Sequence, residues 1–420
     1  METHLADWLK DTPDGKEAET ILRKCVHCGF CTATCPTYQL LGDELDGPRG
    51  RIYLIKQVVE GSKPTAATMQ HLDRCLTCRN CETTCPSGVQ YGHLVDIGRR
   101  VVEQQVRRPL GQRLLRGALR EGLTRRWLFD PAMKLGQTVR PLLPKGLRDK
   151  VQPVAEPGQW PERSHARRVL MLNGCVQPAM MPRIDAATAR VLDAIGIQAV
   201  VESRSGCCGA IRQHLNDADG ALVDARRNID AWWPYLEPER GSPVEAILIN
   251  ASGCGSMVKE YAHLLRNDPN YATKAERVVA LTRDLAEWLP GQFAQQATRL
   301  RDAIKINDAE TIAFHPPCTL QHGQQVRGEV ETFLASLGVT VQPVADSHLC
   351  CGSAGTYSVL QPALSKSLRE RKLTNLQAGK PGLLLSANIG CISHLQAGTQ
   401  TPVRHWIEWL DDALAAGSRP

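Results

Sequence analysis

Two matching cysteine runs constrain this chain more than anything else in it. The first is Cys25-Val-His-Cys28-Gly-Phe-Cys31-Thr-Ala-Thr-Cys35-Pro36, and the second is Cys75-Leu-Thr-Cys78-Arg-Asn-Cys81-Glu-Thr-Thr-Cys85-Pro86. Each reads C-x2-C-x2-C-x3-C-P, the ferredoxin spacing for a [4Fe–4S] cluster, in which the fourth cysteine crosses to the other cluster. The spacing therefore predicts one ligand set of Cys25, Cys28, Cys31 and Cys85, and a second of Cys75, Cys78, Cys81 and Cys35. Structural zinc sites use two separated cysteine pairs, which does not match four cysteines within eleven residues, twice. Disulfides need an oxidising compartment, and the polar, acidic start Met1-Glu-Thr-His-Leu-Ala-Asp-Trp8 reads as neither signal nor transit peptide.

The remaining composition sets the scale. A chain of 420 residues with 42% hydrophobic content is expected to hold two or three domains with buried cores. No stretch approaches the roughly 20 apolar residues of a spanning helix. Sixteen cysteines without an export signal imply reduced thiols used for metal or redox chemistry. The net charge of +6 is local: residues 101–170 hold 15 Lys/Arg against 6 Asp/Glu, while residues 1–100 are nearly neutral.

Helical signals surround both runs. Residues 1–24 read as an acidic helical lead-in, Arg51 to Glu60 and Thr65 to Asp73 as helices, and His93 to Arg107 as another. These define an α-helical ferredoxin domain over 1–105. Arg49, Arg51 and Arg79 lie close to the ligands in sequence and are read mainly as solvated surface, as is His27. Residues 106–165 read as a linker. Leu110, Leu114, Leu115, Ala118, Leu119, Leu123 and Trp127 recur at helical spacing among Arg113, Arg116, Arg120, Arg125 and Arg126. A basic amphipathic helix of this kind suits either an anionic membrane surface or a protein partner. Pro131, Pro141, Pro144, Pro153, Pro157 and Pro161 are expected to break the chain into irregular connection.

From residue 166 the chain repeats itself. Cys175, Cys207-Cys208-Gly209 and Cys254 are matched by Cys318, Cys350-Cys351-Gly352 and Cys391. Each copy, 166–305 and 306–420, carries a strand before the first cysteine (Arg167 to Asn173; Glu310 to Phe314). A helix ends at Gly196 or Gly338, and a second strand (Gln198 to Val201; Thr340 to Val344) precedes Cys-Cys-Gly. A long helix and a third strand (Ala246 to Asn250; Gly382 to Ser386) complete the copy. The expected fold is thus a helical di-cluster domain followed by two tandem, duplicated α/β domains with parallel sheets. Every repeat cysteine lies just past a strand's carboxyl end, where open α/β sheets gather ligands. These eight are candidate ligands of an additional cluster.

The halves resemble the cysteine-rich CCG domains of heterodisulfide reductase B subunits, which hold unusual Fe–S clusters. That pattern ends in C-x2-C, whereas here Met257 follows Cys254 and His394 follows Cys391 at the last position. His394 is therefore a candidate iron ligand and Met257 a weaker one. Over its whole length the chain resembles the iron–sulfur subunits of bacterial glycolate oxidases (glycolate dehydrogenases), most tellingly from Ile21-Leu-Arg-Lys-Cys25 through Gly47-Pro-Arg-Gly-Arg-Ile-Tyr53. The resemblance implies a complex with two flavoprotein subunits that carry FAD and oxidise glycolate to glyoxylate. It also implies peripheral attachment to the cytoplasmic side of the inner membrane and a respiratory acceptor, quinone.

This chain shows no G-x-G-x-x-G after a strand, no P-loop and no Ser/His/Asp constellation, so no catalytic residue is assigned to it. Its role is electron transfer. The alternatives are the equivalent subunit of a glycerol-3-phosphate, lactate or heterodisulfide-reductase-like complex, or a stand-alone ferredoxin-like carrier. Nucleic-acid binding has no recognised fold behind it.

Overall fold

The computed structural model describes residues 1–237, 243–294, 304–305 and 311–417. The cysteine runs sit in a helical domain whose main helices are Pro13–Lys24, Pro48–Val59, Ala66–Asp73 and Tyr91–Gln105. Thr12 caps the first, its hydroxyl accepting the Gly15 N–H at 3.0 Å with Pro13 preset for the first turn. Ile21, Leu22, Ile55, Leu72, Leu94 and Val95 are all but sealed from solvent and form the core. Cys25, Cys75 and Cys81 pack into the same cluster, so the thiols are part of the core.

Two four-stranded parallel sheets follow. Strands β1 (Arg167–Met171), β2 (Ile197–Val201), β3 (Ile247–Ile249) and β4 (Thr282–Asp284) lie in the order β2-β1-β3-β4. Strands β5 (Thr311–His315), β6 (Thr340–Gln342), β7 (Leu383–Ser386) and β8 (Val403–His405) repeat it as β6-β5-β7-β8. The register repeats too, with Met171 opposite Leu248 and Phe314 opposite Leu385. Three strands per copy match the sequence reading. The fourth, β4 and β8, is three residues long with a charged residue at its centre, too short to show period-two patterning. Glu310, read as the start of the fifth strand, lies outside the described residues.

The two sheets share one apolar core running from Val169, Val191 and Leu248 to Leu334, Leu384 and Trp406. The edge of Phe333 meets Phe293 at 5.3 Å between centroids and Trp406 at 6.0 Å. Helix Pro182–Ala194 of one half packs on helix Trp406–Gly417 of the other. Arg190 and Arg183 reach across there to Asp411 and Asp412.

The connecting segment differs from expectation. It is helical over Leu110–Thr124 and Arg126–Thr138, and Pro131 sits inside the second helix without ending it. Several of its arginines are held by acidic partners, although Arg113 and Arg125 stay exposed. Arg108 pairs with Asp73 and Glu103, Arg116 with Asp73 at 3.1 Å, and Arg120 with Glu121 and Asp217. Arg126 binds Asp130 and, through Nη1, Asn173 Oδ1 at 2.7 Å. The exposed stripe is the apolar one: Leu110, Leu114, Trp127, Leu135 and Leu142 all face solvent.

Candidate metal centres

Three thiols converge in each run because the backbone turns left-handed twice. In the first loop His27 (φ 54°) and Gly29 (φ 84°) take that conformation; in the second, Thr77 (φ 51°) and Arg79 (φ 58°) do so at the equivalent places. Only Gly29 adopts it freely, so the other three are strained positions that the surrounding fold holds. Cys25, Cys28, Cys31 and Cys85 line one hollow with Ile52 and Tyr91. Burial raises the Cys25 thiol and pushes Cys31 up to about 11, and Cys85 and Cys28 repel both anions. Cys78 and Cys81 are raised the same way, first by burial and then by neighbouring sulfurs that include Cys75 and Cys35. The crossed sets expected from spacing therefore face one another. Four converging thiolates repel one another unless a cation lies between them, so the sulfur-only donor sets fit [4Fe–4S] clusters.

The second set is surrounded by donors that spacing did not reveal. Tyr91 donates its hydroxyl to Cys75 Sγ at 3.6 Å, and the Thr77 N–H reaches the same sulfur at 3.4 Å. Arg99 donates to the carbonyls of Leu72 and Cys75. Arg51, read as solvated, is 1% exposed. It donates to His71 O at 2.7 Å, Thr37 Oγ1 at 3.1 Å and the fully buried Asp46 at 3.3 Å. Thr37 lies 3.3 Å from Cys35 Sγ, so a fixed positive charge stands one side chain behind that sulfur. Arg51 is 16 residues past Cys35 and 24 before Cys75; no local pattern betrays the approach. Arg79 is likewise engaged, paired with Glu260 of the first repeat, while Arg49 stays half-exposed on Glu44. His27 is half-buried rather than superficial, its Nε2 enclosed without a partner.

In the first repeat Cys175, Cys207, Cys208 and Cys254 form a chain of neighbouring thiols. Hydrogen bonding between them and burial raise Cys175 and Cys208. Cys207 accepts those bonds and the Gly209 N–H at 3.4 Å, and is lowered. In the second repeat Cys318, Cys350, Cys351 and Cys391 are arranged alike, and hydrogen bonding among the sulfurs together with burial raises Cys318, Cys350 and Cys351. The Gly352 N–H lies 3.4 Å from Cys350 Sγ. Both motif glycines are left-handed, and a Cβ at Gly352 would stand 2.6 Å from Ser365 O. Met257 is packed against Gly209 inside the core. His394 does not turn to the sulfurs: its Nε2 meets Ser365 Oγ at 3.2 Å and Ser365 O at 3.3 Å.

The ferredoxin-type loop and the second repeat touch. Leu76, Cys318, Cys350, Tyr357 and Leu368 form one small core, with Cys78 packed against it. Asn80 clamps the contact, donating to Thr34 O and His348 O at 3.1 Å each.

Comparison with known proteins agrees with this arrangement. Residues 21–89 match the 4Fe-4S dicluster domain family, and residues 169–259 and 312–396 each match the cysteine-rich domain family. The chain is 52% identical to the glycolate oxidase iron-sulfur subunit of Escherichia coli K12 over 415 residues, 99% of either chain. It is 28% identical to the probable glycolate oxidase iron-sulfur subunit of Bacillus subtilis, covering 90% of this chain and 89% of that one. A lactate utilization protein A from Geobacillus thermodenitrificans is 24% identical over 256 residues, 58% of this chain and 98% of its own. At 52% identity over 99% of the Escherichia coli protein, the chain belongs to the glycolate oxidase iron–sulfur subunit family.

Proposed function

We propose that this chain is the electron-transfer subunit of a glycolate-oxidising complex, coupling FAD on two flavoprotein partners to a respiratory quinone. The observation that carries the reading is the continuity of the thiols, from exposed Cys28 through the crossed sets to Cys78 and on to Cys318 and Cys350. Clusters bound by these cysteines supply one-electron carriers, which is what divides a two-electron oxidation into single transfers. The eight ferredoxin-type cysteines hold two [4Fe–4S] clusters, and the eight repeat cysteines hold further iron. The working division is 1–105, 106–165, 166–305 and 306–420, with the last two arising by duplication. The flavoprotein side docks over Cys28, where Val26 and Phe30 stand exposed beside the thiol.

The test is a purified complex with iron counted per chain. About eight irons correspond to the two ferredoxin-type clusters alone, and about twelve or more require an additional one. Cys28→Ser should abolish acceptor reduction while glycolate still bleaches the flavin; normal dye reduction by that variant refutes the relay.

Peripheral attachment to the cytoplasmic face of the inner membrane belongs to the apolar stripe of the 110–142 segment rather than to Arg116 and Arg120, which are ion-paired to Asp73 and Asp217. No described helix is long and apolar enough to cross a membrane. Changing Leu114 and Trp127 to Glu should prevent flotation of the complex with anionic vesicles. If instead the complex falls apart, the stripe is a subunit contact.

A further inference from the structure

We propose that His315 is a nitrogen ligand of an iron–sulfur cluster in the second repeat, which makes the two repeat centres chemically unlike. The inference rests on the reading above that the second repeat holds a cluster.

His315 is the last residue of β5, and its carbonyl accepts the Ser386 hydroxyl at 2.9 Å, which fixes the strand end against β7. Its side chain is 1% exposed. Neither Nδ1 nor Nε2 has a hydrogen-bond partner. A neutral imidazole always presents one donor and one acceptor, and each left unpaired in a core costs roughly 1–3 kcal/mol. The other buried histidines of this repeat each find at least one partner: His322 meets Thr83 Oγ1 and His348 O, His394 meets Ser365, and His405, whose Nε2 is also unpaired, accepts the Ile407 N–H at Nδ1. The idle ring of His315 therefore calls for a partner of another kind.

The partner is indicated by what surrounds it. One ring nitrogen of His315, Cys351 Sγ and Cys391 Sγ lie within 4.8 Å of one another, and all three residues are buried. Cys350 neighbours Cys351, and Cys318 neighbours Cys350, so the nitrogen stands at one end of a run of four neighbouring sulfurs. Imidazole and thiolate together are an established donor set for iron–sulfur centres.

Among the described residues, the first repeat brings no such nitrogen to its cysteines. Three residues before Cys318 stands His315; three residues before Cys175 stands Leu172, itself buried in apolar core. The equivalence is structural as well, since Phe314 and Met171 hold the same register against β7 and β3. A neutral imidazole adds a donor to the second centre without the negative charge that a thiolate at the same place would bring. The nitrogen-bearing centre is also the one against Cys78. Electrons leaving the ferredoxin-type pair thus first meet the repeat that carries the imidazole.

The experiment uses the whole purified complex. Pulsed electron paramagnetic resonance is recorded across a redox titration, on wild type and on protein grown with 15N-histidine. One strongly coupled imidazole nitrogen is expected, changing pattern on labelling. It should vanish in His315→Leu, which installs the first-repeat residue. His315→Cys should keep the iron and shift that centre's midpoint downward. Signals of the two ferredoxin-type clusters should stay unchanged in both variants and report that the chain has folded. Iron well above about eight per chain without strong nitrogen coupling overturns this inference alone. Zinc in place of the extra iron also overturns it. Iron of only about eight per chain removes the cluster reading of the repeats itself. The isotope experiment needs no variant, so misfolding of a substituted chain does not alter what it reads.

Discussion

Replacing Arg51 by Met removes a buried cation without removing bulk, and its effect can be worked from the contacts. Arg51 gives up three hydrogen bonds, to His71 O, Thr37 Oγ1 and Asp46 Oδ1. Breaking a buried ion pair by deleting one partner costs about 3–5 kcal/mol. Asp46 is fully buried but keeps Arg74 at 2.7 Å and His71 at 3.1 Å, so the lower end, about 3 kcal/mol, applies. Arg51→Lys keeps the charge but loses the fork, and should cost about half as much. Denaturant-induced loss of cluster absorbance measures both. The same pair separates charge from packing in a redox titration. Met should lower the midpoint of the Cys35/Cys75/Cys78/Cys81 centre, because a positive charge has left its surroundings, and Lys should largely preserve it. A Met variant within about 0.5 kcal/mol of wild type, with unmoved midpoints, would refute the assignment of Arg51 as the charge behind Cys35.

Gly352→Ala should destabilise more than Gly209→Ala. Both glycines are left-handed, which costs an alanine roughly 1–2 kcal/mol. Both new Cβ atoms face a backbone carbonyl, but at Gly352 the approach is 2.6 Å, against 3.1 Å at Gly209. Thermal melting and iron retention would show the order, and equal losses would contradict it. Arg116→Glu should loosen the connecting helix by placing a second anion beside Asp73, giving faster limited proteolysis around residues 106–140. The domain contact at His93 should weaken in alkali. Burial pulls that imidazole down, but hydrogen bonds to Glu17 and Glu260 prevail and raise it to about 9. A raised folded value means the stabilisation is complete below the unfolded value of about 6.5 and is lost as pH climbs through about 9. Hydrogen exchange at Glu260 and His263 should therefore rise over that window, and His93→Gln should flatten the response.

The dicluster domain and the three strands per repeat were legible because their signals are local. Ligand spacing, a glycine after two cysteines and a run of apolar residues each act within about ten positions. What escaped was set by contacts between distant segments. Nothing in the short stretch from Pro86 to Tyr91 hinted that this hydroxyl reaches Cys75. The arginines of 113–126 looked like a membrane-facing array because their partners, Asp73 and Asp217, lie far along the chain from Arg116 and Arg120. Helical periodicity correctly separated basic from apolar faces; it carried no information about which of them the rest of the chain would cover. Likewise His394 was singled out for standing where a cysteine was missing in sequence, whereas the fold gives its nitrogen to Ser365 and brings His315 to the sulfurs.

That exchange bears on why a ferredoxin domain carries two further sheets. A carrier of two clusters needs exposed cysteines at both ends of its path. Here Cys28 is exposed, whereas Cys78 is half-buried, with Leu76, Tyr357 and Leu368 packed on one side of it beside Cys318 and Cys350. An electron reaching the Cys78 side therefore meets the second repeat across an apolar contact. Covering that end in a low-dielectric contact shortens the path to the repeat thiols and denies it to freely diffusing oxidants. Substituting Tyr357 and Leu368 with Ala should then open the seam, increasing direct reaction of the reduced chain with oxygen while leaving flavin-driven reduction of the ferredoxin-type clusters intact. Unchanged oxygen reactivity, measured by stopped-flow reoxidation, would mean that the contact conducts without insulating.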